Sequence, residues 1–348
     1  MEQYKRGLVS AVTPVYNGEA HLHTLLDSLL AQTYPYMEII LADDGSTDGT
    51  VREAERCRDK FAARGYNFRI VRGEHKNASA AINRGLPYVT GEFLIWPDSD
   101  DMLEPESVEK RVDFLKKHPQ YQCVRSLSCY FDPQTGLRRE ERDERQGDLY
   151  KEELFWDILE SKTFVCCGCY MLRSGAFFSI YPERRIPEYN VGQNFQMLLP
   201  FMYRHKCPTI PEELYGVAVR PDSHSRTPLS QAQEERKYLE YEHLVDEIAA
   251  ICRIEDRQSL ERLECWKARR RYQISMKYGR KKEARQALRR LHRCGGLRNG
   301  EAVSMCMETY LIHSWIGRCL YPLYRKVRAF AVRSCGQRLA RRKSARRR

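Results

Sequence analysis

The stretch FLIWPDSDD, Phe93 to Asp101, is an apolar run that stops abruptly at three carboxylates, Asp98, Asp100 and Asp101. Such a run reads as a buried strand emerging at a sheet edge, where its acids can meet a ligand. Acids this close repel one another, and a bound divalent cation is the simplest compensation. A metal held by carboxylates suits a diphosphate. The competing reading is a solvated acidic turn ahead of the helix that Pro105 and Glu106 begin, since Asp is favoured there too.

The preceding residues repeat one plan. Leu8–Val15 (LVSAVTPV) is a short β-branched run closed by Tyr16, Asn17 and Gly18, and Glu19–Gln32 carries Leu22, Leu25, Leu26, Leu29 and Leu30 at helical spacing. Glu38–Ala42 (EIILA) is a second strand, followed by the polar loop Asp43–Asp48 and a helix predicted from about Thr50 to Ala63. Phe68–Arg72 and Phe93–Trp96 make two more strands, with a helix over Ala78–Leu86 between them. Alternation of this kind implies an α/β fold, a mostly parallel sheet with helices on both faces, whose ligands bind beyond the carboxyl ends of the strands. The polar clusters lie there. An Asp at 43 or 44, with Gly45 permitting a tight turn, can accept hydrogen bonds from a base imide or ribose hydroxyls; equally, the segment could be a plain turn with Ser46 or Asp48 as an N-cap. Tyr16 offers a flat face for a base. Arg72–Lys76, with Asn77 and Asn83, could line a phosphate site or merely solvate a loop. The sequence has no GxGxxG or GxxxxGK[ST] loop, which argues against a dinucleotide oxidoreductase or a P-loop enzyme.

With 348 residues, 42% of them hydrophobic, the chain can hold one large domain and an accessory one. No apolar run reaches bilayer length, and MEQYKRGLVSAVTP lacks the long apolar core of a signal peptide, so the chain is expected to stay in the cytoplasm. Thirteen scattered cysteines, an odd number, point to reduced thiols. Cys166, Cys167 and Cys169, in TFVCCGCYML and without a partner pair at zinc spacing, are expected as small core residues of a strand. The net charge of +12 is concentrated at the end, where Thr309–Arg348 holds 12 Lys plus Arg and no acid, leaving 47 charges of each sign in the first 308 residues. A neutral body disfavours nucleic acid as its partner; the basic segment points to an acidic surface.

Together, VTPVYN (Val12–Asn17), DDGSTDGT (Asp43–Thr50), NASAAINRGL (Asn77–Leu86) and GEFLIWPDSDDML (Gly91–Leu103) resemble the family 2 glycosyltransferases, enzymes of the Rossmann-like GT-A fold that use nucleotide sugars. The resemblance covers about the first 225 residues. It implies that Pro14, Tyr16 and Asp44 hold the base, usually uracil, and that Asn17 and Asn83 belong to the same nucleotide-sugar site. It further implies that Asp98 and Asp100 contact ribose and diphosphate, while Asp101 or Asp100 binds Mn2+ or Mg2+. Such a metal would neutralise charge building on the departing diphosphate.

The later part departs from the family pattern. Cys123–Phe131 (CVRSLSCYF) and Phe164–Leu172 are expected strands. Many members then carry a Glu-Asp pair at the start of a helix, with the Asp as general base on the acceptor. Here the matching segment, Val191–Pro200 (VGQNFQMLLP), has Gln193 and Asn194, and an amide cannot take a proton. The catalytic candidates are therefore Glu188, or behind it Glu183, as base, and Asn194 as a group that positions the acceptor while the proton leaves through water or diphosphate. For Glu188 the competing reading is a surface acid beside Pro187. Arg220–Thr227 (RPDSHSRT) resembles the family's closing loop, with His224 as a metal ligand and Arg226 as a clamp on the diphosphate.

Beyond Pro228, Gln231–Ile254, Ser259–Tyr278 and Lys281–Arg293 have helical periodicity and are expected to pack on the catalytic domain as a C-terminal helical extension. The expected organisation is 1–227 for the GT-A domain, 228–308 for a helical accessory region and 309–348 for a basic amphipathic tail. In the tail, Ile312, Trp315, Ile316, Cys319, Leu320, Leu323, Val327 and Phe330 form a stripe flanked by Arg and Lys, which suits a helix on an anionic membrane surface; a helix docked on the body is the competing reading. The expectation is an enzyme on the inner face of a membrane that moves a sugar from a UDP-sugar to a glycan or lipid-linked acceptor in cell-surface polysaccharide synthesis, with inversion. Two alternatives stand beside it. One is a nucleotide-sugar-binding protein of an assembly complex with weakened catalysis, and the other a nucleic-acid-binding protein recruited by the tail.

Overall fold

Residues 9–15 are buried without a break, which a strand achieves only when both its faces are covered. They form the inner part of β1 (Lys5–Val15), which pairs in parallel with β2 (Met37–Asp43) on one side and β4 (Gly91–Ile95) on the other. β2, also buried along its whole length, pairs in parallel with the edge strand β3 (Asn67–Arg72), whose residues largely reach solvent. The computed structural model describes residues 4–139, 147–220, 229–297, 301, 304–306 and 309.

The crossovers are α1 (Leu22–Leu30), α2 (Thr50–Arg56), α3 (Arg58–Ala63) and α4 (Ala78–Gly85). α1 buries Leu22, Leu25, Leu26 and Leu29, the i, i+3, i+4, i+7 stripe, at about 1.5–3 kcal/mol per fully buried leucine. α4 begins at Asn77, whose side chain accepts the Ala80 N–H at 2.9 Å. The single helix expected over 50–63 is two, because at Cys57 the ladder tightens to an N–H bond with the Ala54 carbonyl, 3.1 Å, before α3 restarts.

Beyond β4 the sheet becomes mixed. β8 (Tyr170–Arg173) runs antiparallel to both β4 and β6 (Cys123–Phe131); β6 pairs in parallel with β9 (Thr209–Ala218), and β5 (Met102–Leu103) runs against β9. The order among the described residues is β3-β2-β1-β4-β8-β6-β9-β5, with β7 (Arg138–Arg139) paired to β6. Helices α5 (Ser107–Lys117), α6 (Phe155–Leu159), α7 (Ser174–Ile180) and α8 (Gln193–Arg204) complete this α/β body. Strand order reverses at β1, so the loops after β1, β2 and β4 open on one crevice.

The strand expected over 164–172 is shorter than that. Cys167–Cys169 is a 3-10 turn, and only β8 is extended. The cause is local: the Tyr215 ring occupies the space beside Gly168, where a Cβ would lie 1.9 Å from Cε2. Buried Arg111 of α5 also takes the Gly168 carbonyl at 2.7 Å, a group that a strand neighbour would otherwise bond. Cys167 and Cys169 are buried, as expected of core residues, but in that turn.

The chain forms two compact units, residues 1–229 with 239–253, and residues 230–238 with 254–348. The first holds the sheet and the later part of α9 (Gln231–Cys252), where Leu244, Val245 and Ile248 are buried. In the second, α10 (Arg257–Lys277) and α11 (Lys281–Arg293) pack through Ala268, Tyr272, Met276, Ala284, Ala287 and Leu291. α10 starts at an N-cap, Asp256, that accepts the Ser259 N–H at 2.8 Å. No helix among the described residues is long and apolar enough to cross a membrane. The amphipathic stripe expected over 312–330 lies outside the described residues.

Candidate active site

Two loops at the crevice are stitched together by short polar side chains. Asn17, in the left-handed region at φ 47°, donates its N–H to Ser46 Oγ at 2.9 Å, while its Oδ1 accepts the Thr47 N–H at 2.9 Å. Asp48 accepts from Thr50 N at 3.0 Å and from Glu19 N at 3.1 Å. Desolvation is the largest single influence on its carboxyl and raises it, but the Thr50 hydroxyl and the backbone N–H bonds together outweigh it and hold the carboxyl below the usual carboxylate range. Asn17 and Asp48 are therefore the scaffold of this wall. Pro14 is buried within β1, in register with Ala42.

Asp44, almost fully buried, is the polar centre of the same wall. It accepts from His75 Nδ1 at 2.9 Å, from the Lys76 N–H at 3.1 Å and from Arg84 Nη2. Gly45 follows at φ +76°, and a Cβ there would meet the His75 nitrogen at 2.7 Å, so the second and third loops touch only because this residue is glycine. Tyr16 is 40% exposed and stacks face to face on His75, ring centroids 3.8 Å apart and planes 16° apart.

The three acids after β4 have different surroundings. Asp101 is buried, with Oδ2 accepting from the Tyr215 hydroxyl at 2.9 Å and Oδ1 from the Ala218 N–H at 2.9 Å. The Tyr215 oxygen also accepts the Asp98 N–H at 3.1 Å, so one residue of β9 anchors the whole acidic loop. Asp100 pairs with Arg220 Nη2, and Arg220 Nε is buried without a partner. Asp98 Oδ1 accepts from Gln193 Nε2 at 3.2 Å, and the Cys167 thiol also bonds this carboxyl. Asp98 keeps some solvent contact, yet desolvation, reinforced by Asp100, pushes its carboxyl up to about 6. Burial, then the charges of Asp98 and Asp100, raises Asp101 well above its ordinary value.

Among the described residues no three His, Cys, Asp or Glu side chains converge as a ready metal cage. The donor chemistry still fits a Mg2+- or Mn2+-type ion, which takes one or two carboxylates and completes its shell from water and substrate phosphates. Asp98 and Asp100 are the acids available for it; burial is the main cause of the raised Asp98 carboxyl, and the neighbouring charge of Asp100, which a cation would offset, adds to it. Asp101, expected as a ligand, has both oxygens bonded within the protein and serves as the anchor of the loop. His224 and Arg226, expected as metal ligand and clamp, lie outside the described residues.

On the opposite side, α8 begins at Gly192 with no acid in its first turn. Gln193 reaches Asp98, whereas Asn194 Nδ2 donates to the Val165 carbonyl at 3.2 Å and its Oδ1 is buried without a partner. Glu188, expected as base, accepts from Lys76 Nζ, from Arg185 Nη2 at 2.7 Å and from Asn83 Nδ2 at 3.1 Å. Lys76 foremost holds its carboxyl below the ordinary value, which makes it a poor proton acceptor. Asn83, expected to touch the nucleotide sugar, instead bonds the Ile186 backbone at both ends, accepting its N–H at 2.8 Å and donating to its carbonyl at 2.9 Å. Asn83 and Glu188 together tie the 186–188 segment to α4.

Sequence reasoning missed Tyr215, and it did not single out His75, Arg84 and Arg220 within the stretches Arg72–Lys76, NASAAINRGL and RPDSHSRT that it did point to. Tyr215 is a plain strand residue 114 positions from Asp101, with no local signal to reveal it. An open groove of about 850 Å3 lies along Pro105, Pro211 and Leu214. Its glutamates are engaged by Lys110 and Arg138, so it supplies no group for chemistry.

A parallel 3-2-1-4 half-sheet joined to a mixed half, with acids at the end of β4, is the architecture of the GT-A fold. Residues 10–178 match the model of glycosyl transferase family 2, and this stretch is a glycosyltransferase domain. It is 29% identical over 220 residues to EpsE of Bacillus subtilis (strain 168), which carries a glycosyltransferase name, covering 63% of this chain and 75% of EpsE. It is 34% identical over 123 residues to the glycosyltransferase GlyA of Streptococcus pneumoniae, covering 35% of this chain but only 17% of GlyA. Residues 1–349 of S. aureus TarS, in complex with UDP-GlcNAc, share the fold at a TM-score of 0.58 and 18% identity, covering 89% of this chain and 87% of that one. The Pyrobaculum calidifontis mannosyltransferase PcManGT, with GDP-Man and Mn2+, does so at 0.51 and 16%, covering 93% and 86%.

Proposed function

We propose that the chain transfers a sugar from a UDP-sugar to a hydroxyl of a glycan or lipid-linked acceptor during the building of a cell-surface polysaccharide. The reading rests on one observation: Tyr16, Asp44 and the carboxylates at 98 and 100 come from three strand ends that open on one crevice. Tyr16 would carry the base, in place of or on top of His75, and Asp44 would accept from the base or ribose. Asp98 and Asp100 would hold a divalent cation, which when bound neutralises charge on the departing diphosphate. Arg220, with its free Nε, stands beside Asp100 to share that work. The UDP-GlcNAc bound to TarS and the Mn2+ bound to PcManGT support this choice of donor and ion.

Asn194 Oδ1, an unpaired acceptor at the head of α8, would receive the hydrogen bond of the incoming hydroxyl and orient it. That oxygen attacks the anomeric carbon with inversion as the bond to UDP breaks. UDP leaves with the electron pair, and the hydroxyl proton passes to water or to the diphosphate. Gln193 holds Asp98 in place, and Glu188 braces the wall. The organisation proposed is a catalytic domain over 1–227, a helical region over 228–308 and a tail over 309–348 that holds the enzyme on an anionic membrane surface. Calorimetry of UDP with and without Mn2+, on the wild type and on Asp100→Ala, tests the donor site, and UDP release from a panel of UDP-sugars then names the sugar. Metal-dependent binding lost in the variant is the expected result. No UDP binding under either condition would overturn the assignment.

A further inference from the structure

The charge of this protein divides by structural unit. Residues 1–229 with 239–253 carry 30 Lys plus Arg against 38 Asp plus Glu, while residues 230–238 with 254–348 carry 29 against 9. The neutral body expected from the first 308 residues is thus an acidic unit and a basic one that cancel in the sum. Only 12 of those 29 basic residues lie in 309–348, so the folded helices of the second unit have an excess of their own.

That excess is organised on α11. Its sequence, KKEARQALRRLHR, holds six Lys or Arg and one acid. At 100° per residue, Lys282, Arg285, Arg289, Arg290 and Arg293 fall within an arc of about 140°. Ala284, Ala287 and Leu291 fall opposite and are buried against α10. Lys282, Arg289, Arg290 and Arg293 are exposed and have no acidic partner among the described residues, whereas Arg269, Lys277 and Arg280 nearby are all paired with glutamates. Stability does not require an unpaired row of this kind, because like charges three and four apart on a helix repel.

We infer that the exposed face of α11 is a docking surface for an anionic phospholipid bilayer, independent of the 309–348 tail and acting alongside it. This extends the membrane association put forward above and rests on that part of the reading. The row spans roughly 16 Å, from 282 to 293 at about 1.5 Å per residue, and runs straight, as a planar array of headgroups requires. The apolar face of α11 is enclosed in its own unit, so the contact is electrostatic, without insertion, and salt-sensitive. A lipid surface is favoured over nucleic acid on two grounds. The α11 face presents no Phe, Tyr or Trp on which bases could stack. The chain beyond it alternates Trp, Leu and Ile with Arg, a pattern suited to a bilayer interface.

The test uses the full chain with vesicles of phosphatidylcholine, with and without phosphatidylserine. Arg289→Gln, Arg290→Gln and Arg293→Gln together should weaken partition onto the anionic vesicles by on the order of a hundredfold at low salt, about fivefold per charge. The charge-preserving set Arg289→Lys, Arg290→Lys and Arg293→Lys should bind as the wild type does, which separates lost charge from a damaged helix. Neutralising Arg341, Arg342, Lys343, Arg346, Arg347 and Arg348 should produce a further, separate loss. The inference is overturned if the wild type ignores anionic vesicles, or if the triple Gln variant binds them as the wild type does. It is also overturned if an RNA oligomer binds more tightly than the vesicles at equal salt and loses that binding in the triple Gln variant. UDP calorimetry on the same preparations should be unchanged by every variant, so failure of the donor assignment would appear there and failure of the docking surface in the vesicles.

Discussion

Tyr215→Phe removes a single oxygen and tests how the acidic loop is held. The hydroxyl donates to Asp101 Oδ2 at 2.9 Å and accepts the Asp98 N–H at 3.1 Å, with the residue fully buried. A hydrogen bond to the carboxyl contributes about 0.5–1.5 kcal/mol while the acid is neutral and about 1.5–3 kcal/mol once it is ionised, and a buried N–H left without a partner costs about 1–3 kcal/mol. Both act through one atom and so do not add in full, which leaves an expected loss of about 2–4 kcal/mol. At about 2–4 °C per kcal/mol for a domain of this size, Tm should fall by about 5–15 °C. The loss has a pH signature. The Tyr215 hydroxyl lowers the Asp101 carboxyl against the burial that raises it, so without the hydroxyl ionisation of Asp101 becomes harder still. The variant should therefore lose more at mildly alkaline than at mildly acidic pH. Circular dichroism melts at the two pH values, with UDP calorimetry in Mn2+, give the measurement. A Tm within about 2 °C of the wild type at neutral pH, with unchanged UDP affinity, would refute the anchoring role.

Gly168→Ala should be the more damaging change on the other side of the same ring, because its Cβ would sit 1.9 Å from Tyr215 Cε2 in a packed core. Loss of soluble expression, or a Tm drop larger than that of Tyr215→Phe, is the expected readout, and a wild-type melt would refute the packing argument. Asp98 supplies a pH dependence. A carboxyl raised to about 6 favours its protonated form in the folded state, so its contribution to stability is highest near pH 4 and falls as pH rises toward 6, by about 2–3 kcal/mol at most. A cation needs the ionised form, so Mn2+-dependent UDP affinity should run the other way, rising up to about tenfold per pH unit below 6 and levelling above it. Urea melts of the wild type and Asp98→Asn across this range, beside calorimetry, would show both trends; parallel, pH-independent curves would remove Asp98 from the argument.

The parts of the fold legible in the sequence are those where burial and chemistry are both local. β1, β2 and β4 announce themselves because strands covered on both faces must be apolar throughout, and their polar loops follow at once at the end where ligands bind. The cysteine segment shows the limit. An apolar run such as TFVCCGCYML suits a strand, and nothing in it reveals that a tyrosine from β9 fills the space at Gly168 or that Arg111 takes its carbonyl. Arg111 and Arg125 were equally illegible. Both are fully buried, Arg111 bonded to carbonyls and Ser107, Arg125 to Thr209 Oγ1 and Thr163 Oγ1, yet an arginine in sequence reads as surface.

The amide pair at α8 was visible in the sequence; what it does to its neighbours was not. With a carboxylate at 193, the first turn of α8 would place another negative charge against Asp98, whose Oδ1 lies 3.2 Å from Gln193 Nε2 and whose carboxyl is already raised. An acid at 193 would push Asp98 higher still and weaken the ionised form that a cation needs. Gln193 instead donates to that ionised form and favours it. Asn194 leaves a buried oxygen without a partner, able to accept a hydrogen bond but not a proton. The exchange of acids for amides therefore acts in opposite directions on the two partners of the reaction. On the proposed reading, it eases the holding of a cation and diphosphate, and it withdraws the group that would have deprotonated the acceptor. A site altered in this way depends more on leaving-group stabilisation and orientation than on general base catalysis.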